Sequence, residues 1–327
     1  MKAAVRDRFG APSEVVELRE LDAPVPAEGE VLVRVHAASL NIADWYSVVG
    51  RPRIARPTTG IFRPRSNRLG TDYAGVVEAV GPGVTTFEPG DEVFGGKDGA
   101  YAEYVVADVD RSITPKPASV TFEEAAAVPV AGLTALQALR DQGRLQAGQK
   151  VVINGASGGV GTYAVQIAKA LGGNVTAVCS APNVETAHSL GADRVVDYAT
   201  EDFTRREERY DLMIDIAGTR SWRECTRVLA PDATVVVVGG PRANGLLGPL
   251  GHVAGMRLGS IRGSRTMEFF IAKFNKPDME TLRELLESGQ VRSVVDRRFA
   301  FAEIAAALDY QGEGHPRGKV VLDVSGG

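Results

Sequence analysis

The stretch from Gln149 to Thr162 constrains this chain more than any other part of it: Gln-Lys-Val-Val-Ile-Asn-Gly-Ala-Ser-Gly-Gly-Val-Gly-Thr. The apolar run Val151 to Ile153 reads as a buried strand, and Asn154 to Gly158 as a tight turn. From Gly159 onward Val160, Ala164, Ile167, Ala168 and Leu171 recur at helical spacing, so the stretch is strand, turn and helix. Glycine serves such a turn in three ways. It permits positive φ, it lets the backbone approach a pyrophosphate, and it lets the helix pack closely on the strand. The helix N-terminus then offers free N–H groups and a positive dipole end to phosphate oxygens. The spacing is Ala156-x-Gly158-x-x-Gly161, with alanine in place of the first glycine of the usual dinucleotide pattern. Ala156, Ser157, Gly158, Gly159, Val160 and Gly161 are therefore the candidate phosphate cradle. A βα turn that needs glycine only for its own packing is the alternative.

At 327 residues the chain has room for about two domains. Its 44% hydrophobic and 24% charged residues are ordinary for a soluble globular protein, and a formal net charge of -4 gives no reason to expect nucleic acid. The cysteines, Cys179 and Cys225, are too few for a disulfide framework and suit a reducing cytoplasm. Met1 to Arg8 lacks the apolar core of a signal peptide, and no uncharged apolar stretch is long enough to span a membrane.

Residues 1–120 read as β-rich, with strands at Val31–Val35 and Ala74–Val80 and turns at Ala27-Glu28-Gly29, Gly81-Pro82-Gly83, Glu88-Pro89-Gly90-Asp91 and Lys97-Asp98-Gly99. Short strands between glycine turns suggest a small barrel-like β domain. The Arg- and Pro-rich residues 51–69 read as an exposed connector. Thr121 with Glu124 three residues on marks a helix start, and the helix runs on to Arg140 with an interruption at Pro129. From Lys150 onward the apolar strands Val175–Val178, Arg194–Val196, Leu212–Ile216 and Thr234–Val238 alternate with helical segments at Glu185–Leu190, Asp202–Arg209 and Trp222–Leu229. Apolar strands alternating with helices indicate a parallel sheet covered on both faces, the doubly wound nucleotide-binding architecture. Residues 241–262, glycine-rich with His252, Arg257 and Arg262, line a cleft, form a subunit interface or simply pack. Thr281–Glu287 reads as a helix, and Val291–Phe299 and Lys319–Val324 as strands that rejoin the β domain.

An NAD enzyme usually places Asp or Glu after the second strand of the nucleotide unit, where it binds the ribose 2′-hydroxyl. Here that strand ends Val178-Cys179-Ser180-Ala181-Pro182-Asn183, and no carboxylate lies between Gly161 and Glu185. An acid would repel a 2′-phosphate, so its absence favours NADP(H), with Ser180 and Asn183 as hydrogen-bond donors. Ser180 as a cap of the next helix is compatible with that role. No Arg or Lys occupies this short loop.

Taken whole, the chain resembles the medium-chain dehydrogenase/reductases, specifically the zinc-free quinone oxidoreductase (zeta-crystallin-like) branch. The resemblance is carried by Ala37–Asn41 with Asp44, Leu69–Val77, Val80–Val84, Pro89–Val93, Ala131–Ala135, Gly155–Gly161, Leu190–Asp193 and Arg317–Val321. It implies a Rossmann NADP(H)-binding domain, expected over 125–275, inserted in a GroES-like β-rich domain expected over 1–124 and 276–327. It implies a homodimer, with residues 255–275 as the candidate interface. It places Asn41, Asp44 and Tyr46 in a loop facing the nicotinamide, where Asn41 bonds cofactor or substrate and Tyr46 donates to a developing enolate. A wall residue stacking on substrate beside Trp45 is the alternative for Tyr46. It puts Thr134 near the nicotinamide ribose, Tyr198 at the adenosine phosphates, Gly239 and Gly240 under the nicotinamide, and Arg317 and Lys319 near the cofactor. For the last two, solvated surface charges are the alternative.

The zinc branch would need Cys, His and Glu ligands, yet no cysteine precedes Cys179, and Thr71-Asp72 stands where that branch carries His-Glu. His36, His188, His252 and His315 are scattered, and each reads as a surface or hydrogen-bonded residue. No metal is therefore expected. Without one, hydride transfer to a conjugated acceptor, a quinone or an α,β-unsaturated carbonyl, is easier than oxidation of a simple alcohol. The rivals are an enoyl (2-alkenal or enoyl-thioester) reductase and an NADPH-binding protein without turnover.

Overall fold

Six strands form an all-parallel sheet: β1 (Lys150–Asn154), β2 (Asn174–Cys179), β3 (Arg194–Asp197), β4 (Tyr210–Asp215), β5 (Leu229–Val237) and β6 (Thr266–Phe269). Their spatial order is β3-β2-β1-β4-β5-β6. The order reverses between β1 and β4, which in an open α/β sheet marks the crevice where ligands bind. The central strands carry Val151, Val152, Ile153, Leu212, Met213 and Ile214, all buried, as a sheet covered on both faces requires. In this computed structural model the structure describes residues 1–241, 246–314 and 316–326. His315 and part of the expected 241–262 segment lie outside the described residues.

A second, seven-stranded sheet is built around the long strand Glu30–Leu40. Asp72–Val80 pairs along most of that strand, Tyr104–Asp108 pairs with its first half, and Lys319–Asp323 pairs with its last residues. Glu92–Gly96, Ile113–Pro115 and Val295–Ala300 complete the sheet. All its pairings are antiparallel except that of Val295–Ala300 with Lys319–Asp323. Alternate residues of the long strand, Val31, Val33 and Val35, enter a core with Tyr73, Val77, Val93 and Ile113. The C-terminal segment thus supplies an interior strand of a sheet begun near residue 30.

Packing divides the chain into two compact units, one of Met1–Arg51, Ala55–Leu133 and Lys273 onward, the other of Pro52–Ile54 and Thr134–Ala272. Residues 125–133, expected with the nucleotide half, pack with the β-rich unit. The helix Phe122–Ala126 lies on the long strand and its neighbour, and the Val130 N–H donates to Asp72. That helix has the expected capping box, with Thr121 Oγ1 accepting from the Glu124 N–H and Glu124 accepting from the Thr121 N–H.

Three segments take a more definite form than their sequence suggests. Residues 51–69 include helical turns at Arg53–Ala55 and Arg56–Thr59 rather than an open connector. The glycine-rich stretch after residue 241 holds a helix, Pro249–Ser260, started by proline in its first turn, and β6 follows it. Asp202–Arg209, read as a helix or helical turn, holds the shorter form, the single turn Phe203–Arg205 capped by Asp202.

Candidate functional site

Functional side chains gather in two clusters, one in each unit. In the Rossmann unit the turn after β1 divides its glycines by task. Gly155 has φ of +96°, a conformation costly for other residues. A Cβ on Gly161 would lie 2.1 Å from the Gly155 carbonyl oxygen, so the fold itself needs that glycine. Gly158 is different: its φ is ordinary, and a Cβ there would meet nothing closer than the Gly155 oxygen at 3.9 Å. Nothing within the protein requires Gly158, whereas a group resting on the turn from outside would. The helix Gly159–Ala170 starts at this point, leaving the N–H groups of Gly159, Val160 and Gly161 with no intrahelical acceptor. Ala156 is buried, its N–H donates to the Val178 carbonyl, and its φ is not positive, so the turn's left-handed residue is Gly155 and a Cβ is tolerated at Ala156.

At the end of β2, Ser180 Oγ accepts from Asn183 Nδ2 at 2.9 Å, which leaves its own hydroxyl hydrogen free to donate outward. Asn183 is buried, and Tyr198 is exposed with its N–H on the Cys179 carbonyl. Gly239 and Gly240 follow β5, and the Gly239 N–H reaches the Asp215 carbonyl at 3.3 Å. Thr134 lies half-buried in the helix Pro129–Gln137. A hub absent from the sequence-level list is Asp215. Its carboxylate, fully buried, accepts from Asn154 Nδ2 (2.8 Å) and the Gly218 N–H (3.0 Å), and pairs with His252 Nε2 (2.8 Å). It ties the ends of β1 and β4 and the helix Pro249–Ser260 together at the carboxyl edge of the sheet.

In the β-rich unit, register assembles the second cluster. Val320 stands opposite Leu40, and Asp72 opposite Ser39, so Lys319, Asn41 and Asp72 converge at one end of three adjacent strands. Lys319 Nζ donates to Asn41 Oδ1 at 2.6 Å and lies 3.4 Å from Asp72 Oδ2. Asp72 also accepts from Asn41 Nδ2 (2.9 Å), Ser39 Oγ (3.2 Å) and the Val130 N–H (3.1 Å). Both ends of the ion pair are buried, Lys319 at 3% exposure and Asp72 at 0%. Burial pushes the Asp72 carboxyl up and the Lys319 ammonium down, and each partner opposes the other's shift.

Asn41 precedes the helix Ile42–Val49, so Asp44 and Tyr46 stand on helix rather than in the expected loop. Asp44, in the first helical turn, accepts from the Asn41 N–H and from the Tyr101 hydroxyl, each at 2.8 Å. Its carboxyl is pushed up to about 6, chiefly by burial, with the nearby Asp72 charge adding and the two hydrogen bonds opposing. Tyr46 is half-buried, its ring tilted against Trp45 at 5.3 Å between centroids. Arg317 is exposed, whereas Lys319 is a buried ion-pair member and not a solvated charge. Ser39, Asp72 and Tyr101 were not among the sequence-level candidates. The available signal was an acid placed directly before the apolar run Tyr73–Val77 in the strand Asp72–Val80. Among the described residues no three His, Cys, Asp or Glu side chains gather as a metal-binding group. His36 stacks on Phe122, and His188 Nδ1 meets the Ala192 carbonyl.

Comparison with known proteins agrees with this architecture. Residues 27–118 match the alcohol dehydrogenase GroES-like domain, and residues 190–322 match the family described as zinc-binding dehydrogenase. The mitochondrial NAD(P)H oxidoreductase RTN4IP1 of Mus musculus is 33% identical, over 99% of this chain and 89% of its own length. The trans-enoyl reductase pgmF of Aspergillus terreus is 33% identical over 90% of this chain and 86% of its own. The structure of the quinone oxidoreductase from Coxiella burnetii superposes with a TM-score of 0.84 at 29% identity, covering 99% of both chains. A GroES-like unit, a six-stranded parallel sheet in Rossmann order and end-to-end relatedness to these oxidoreductases together show that the chain belongs to the medium-chain dehydrogenase/reductase superfamily, among its quinone-oxidoreductase-like members.

Proposed function

We propose that the protein is an NADPH-dependent reductase of quinones or α,β-unsaturated carbonyls that works without a metal. The observation that carries this reading is the Gly158 position, a glycine that the chain itself does not need, facing open space at a helix N-terminus. Gly158, Gly159, Val160 and Gly161 would hold the pyrophosphate through backbone N–H groups. Ser180, with its free hydroxyl hydrogen, would meet a 2′-phosphate. The carboxylate on the neighbouring strand, Asp197, is engaged with the Ala199 N–H. When bound, the reduced nicotinamide supplies the hydride. Asn41, Thr134, Tyr198, Gly239, Gly240, Arg317 and Lys319 complete the proposed cofactor contacts.

The donor chemistry of the β-rich cluster supports metal independence. An ammonium and a carboxamide flank Asp72, where zinc would need thiolate or imidazole beside a carboxylate. Lys319 and Asp72 instead fix the Asn41 amide, with its Oδ1 on the ammonium and its Nδ2 on the carboxylate. Tyr46 is the proposed donor of the proton that the reduced substrate needs, with water as the alternative source. Asp44 is held by Tyr101 and positions the helix that carries Tyr46.

The test is a titration of the purified protein with NADPH and NADH, followed by NADPH oxidation against quinones, enones and an enoyl thioester. Saturable NADPH binding with quinone or enone turnover and no added metal supports the reading. Indifference to both nucleotides overturns it. The similarity to a trans-enoyl reductase favours a second reading, in which the enoyl thioester is strongly preferred over simple quinones. A homodimer through residues 255–275 is part of the proposal. Leu258, Ile261 and Ile271 are 71–79% exposed there, beside the edge strand β6. A monomer by light scattering at micromolar concentration would remove it.

A further inference from the structure

The β-rich unit contains a polar pocket that the proposed reaction does not use. It is open, has a volume of about 530 Å³, and is lined by Arg6, Arg63, Arg65, Arg68, Ser66 and Asn67. Asp7, the acid in its lining, is already paired with Arg19 at 2.5 Å. Four arginines therefore line a cavity whose carboxylate is held by Arg19 from outside the lining and by Arg63 and Asn67 from within it.

The arginines are not loosely displayed. The Arg65 N–H bonds the Thr59 carbonyl at 3.0 Å, and its guanidinium bonds the Pro57 carbonyl at 3.0 Å, which closes the loop on itself. The Arg6 N–H holds the Asn67 carbonyl at 2.9 Å, and Val5 bridges to Arg68, which ties the loop to the first strand. Arg6 is 5% exposed, and its Nε has no hydrogen-bond partner. A buried guanidinium with an unmet donor is costly to keep, and an anion in the pocket is an acceptor that would satisfy both that donor and the charge. The planar forks of arginine match the paired oxygens of phosphate, and such charge-assisted bonds are the strong ones.

We propose that this pocket is an anion site that holds the phosphate or diphosphate group of a small molecule. The inference stands independently of the reductase reading. Where the substrate is an enoyl thioester, the phosphates of its carrier are one source of the ligand, and free inorganic phosphates are the other.

The test is calorimetric titration of the whole 327-residue chain, without NADPH, using inorganic pyrophosphate and coenzyme A as probes. Three proteins are compared: wild type, a double variant R63A/R68A, and Gly158→Val. Arg6 stays in place because it is packed into the fold. The expected result is saturable micromolar binding that weakens at least tenfold in R63A/R68A, survives in Gly158→Val, and falls as salt is raised. Binding of coenzyme A alone supports the site with a nucleotide-bearing carrier as its ligand, and binding of pyrophosphate alone supports it with a free phosphate. No binding up to millimolar concentration, binding untouched by R63A/R68A, or binding lost in Gly158→Val each overturns the proposal. The last outcome would place the probe in the cofactor cradle. A failed reductase reading would instead show as absent NADPH binding to the wild type, with these titrations unchanged.

Discussion

Replacing Lys319 with methionine tests the buried ion pair at its most exposed assumption. Methionine keeps an unbranched chain of similar length and removes the ammonium. Asp72 keeps Ser39, Asn41 and the Val130 N–H as donors but loses its cation at 0% exposure. Removing one partner of a buried pair costs about 3–5 kcal/mol, because the remaining charge is uncompensated. A domain of this size loses about 2–4 °C in Tm per kcal/mol, so Tm should fall by about 6–20 °C near neutral pH. The loss should depend on pH. An unfolded Asp titrates near about 3.9, whereas burial holds the Asp72 carboxyl above its ordinary value, further still once the ammonium is gone. The folded variant then binds more protons than the unfolded chain across that window. Its stability is retained below the unfolded value and drains away as pH rises towards the folded one. Urea unfolding followed by circular dichroism at pH 4.5, 6 and 7.5 reads this directly. The double variant K319M/D72N should recover most of the loss and show little pH dependence. A cost under about 1 kcal/mol with a wild-type pH profile, or no recovery in the double variant, would refute the reasoning.

Three further outcomes follow from the geometry. Asp44→Asn should flatten the pH dependence of stability between about 4 and 6. The wild-type carboxyl, raised to about 6, favours folding below its unfolded value and loses that contribution as pH rises, whereas an amide still accepts from Asn41 and Tyr101; parallel stability curves for the two proteins would contradict this. Gly158→Val should abolish NADPH binding with little change in Tm, whereas Gly161→Ala should lower Tm because its Cβ would press on the Gly155 oxygen; equal thermal shifts would erase the distinction between the two glycines. Ser180→Asp should move the NADPH/NADH affinity ratio towards NADH, and an unmoved ratio by fluorescence titration would take Ser180 away from the 2′-phosphate.

The parallel sheet was legible because its evidence is local. Five of its six strands announce themselves by a short apolar run, the edge strand Thr266–Phe269 with its Glu268 being the one that does not, and the glycine turn is contiguous from Gly155 to Gly161. The division of labour among those glycines was not legible. Gly155, Gly158 and Gly161 look alike on paper, and only the backbone angles and the 2.1 Å approach separate the two that the fold needs from the one it does not. The helix Pro249–Ser260 was hidden for the opposite reason. Its glycines at Gly251, Gly255 and Gly259 suppress the helical signal that Leu250, Val253 and Met256 would otherwise give.

The β-rich cluster was half visible, and the hidden half is the instructive one. Resemblance points to Asn41 as a contact of cofactor or substrate and to Lys319 as a cofactor contact, 278 positions apart. What joins them is register: Val320 opposite Leu40 brings the strand ends together, and Ser39 opposite Asp72 brings in the acid. Pairing register is fixed by which faces of the strands are buried, a property of the whole sheet and not of any one window. Asp72 and Asp215 nevertheless share a mark that a sequence does carry. Each is an acid in a run of apolar strand residues, Asp72 before Tyr73–Val77 and Asp215 after Leu212–Ile214. A carboxylate so placed must find a cation or several donors, since burial without them costs more than a fold can bear. Asp72 found Lys319, Asn41 and Ser39; Asp215 found Asn154, His252 and the Gly218 N–H. The acid can be read from the chain and the existence of partners inferred from it, but their names wait on the register.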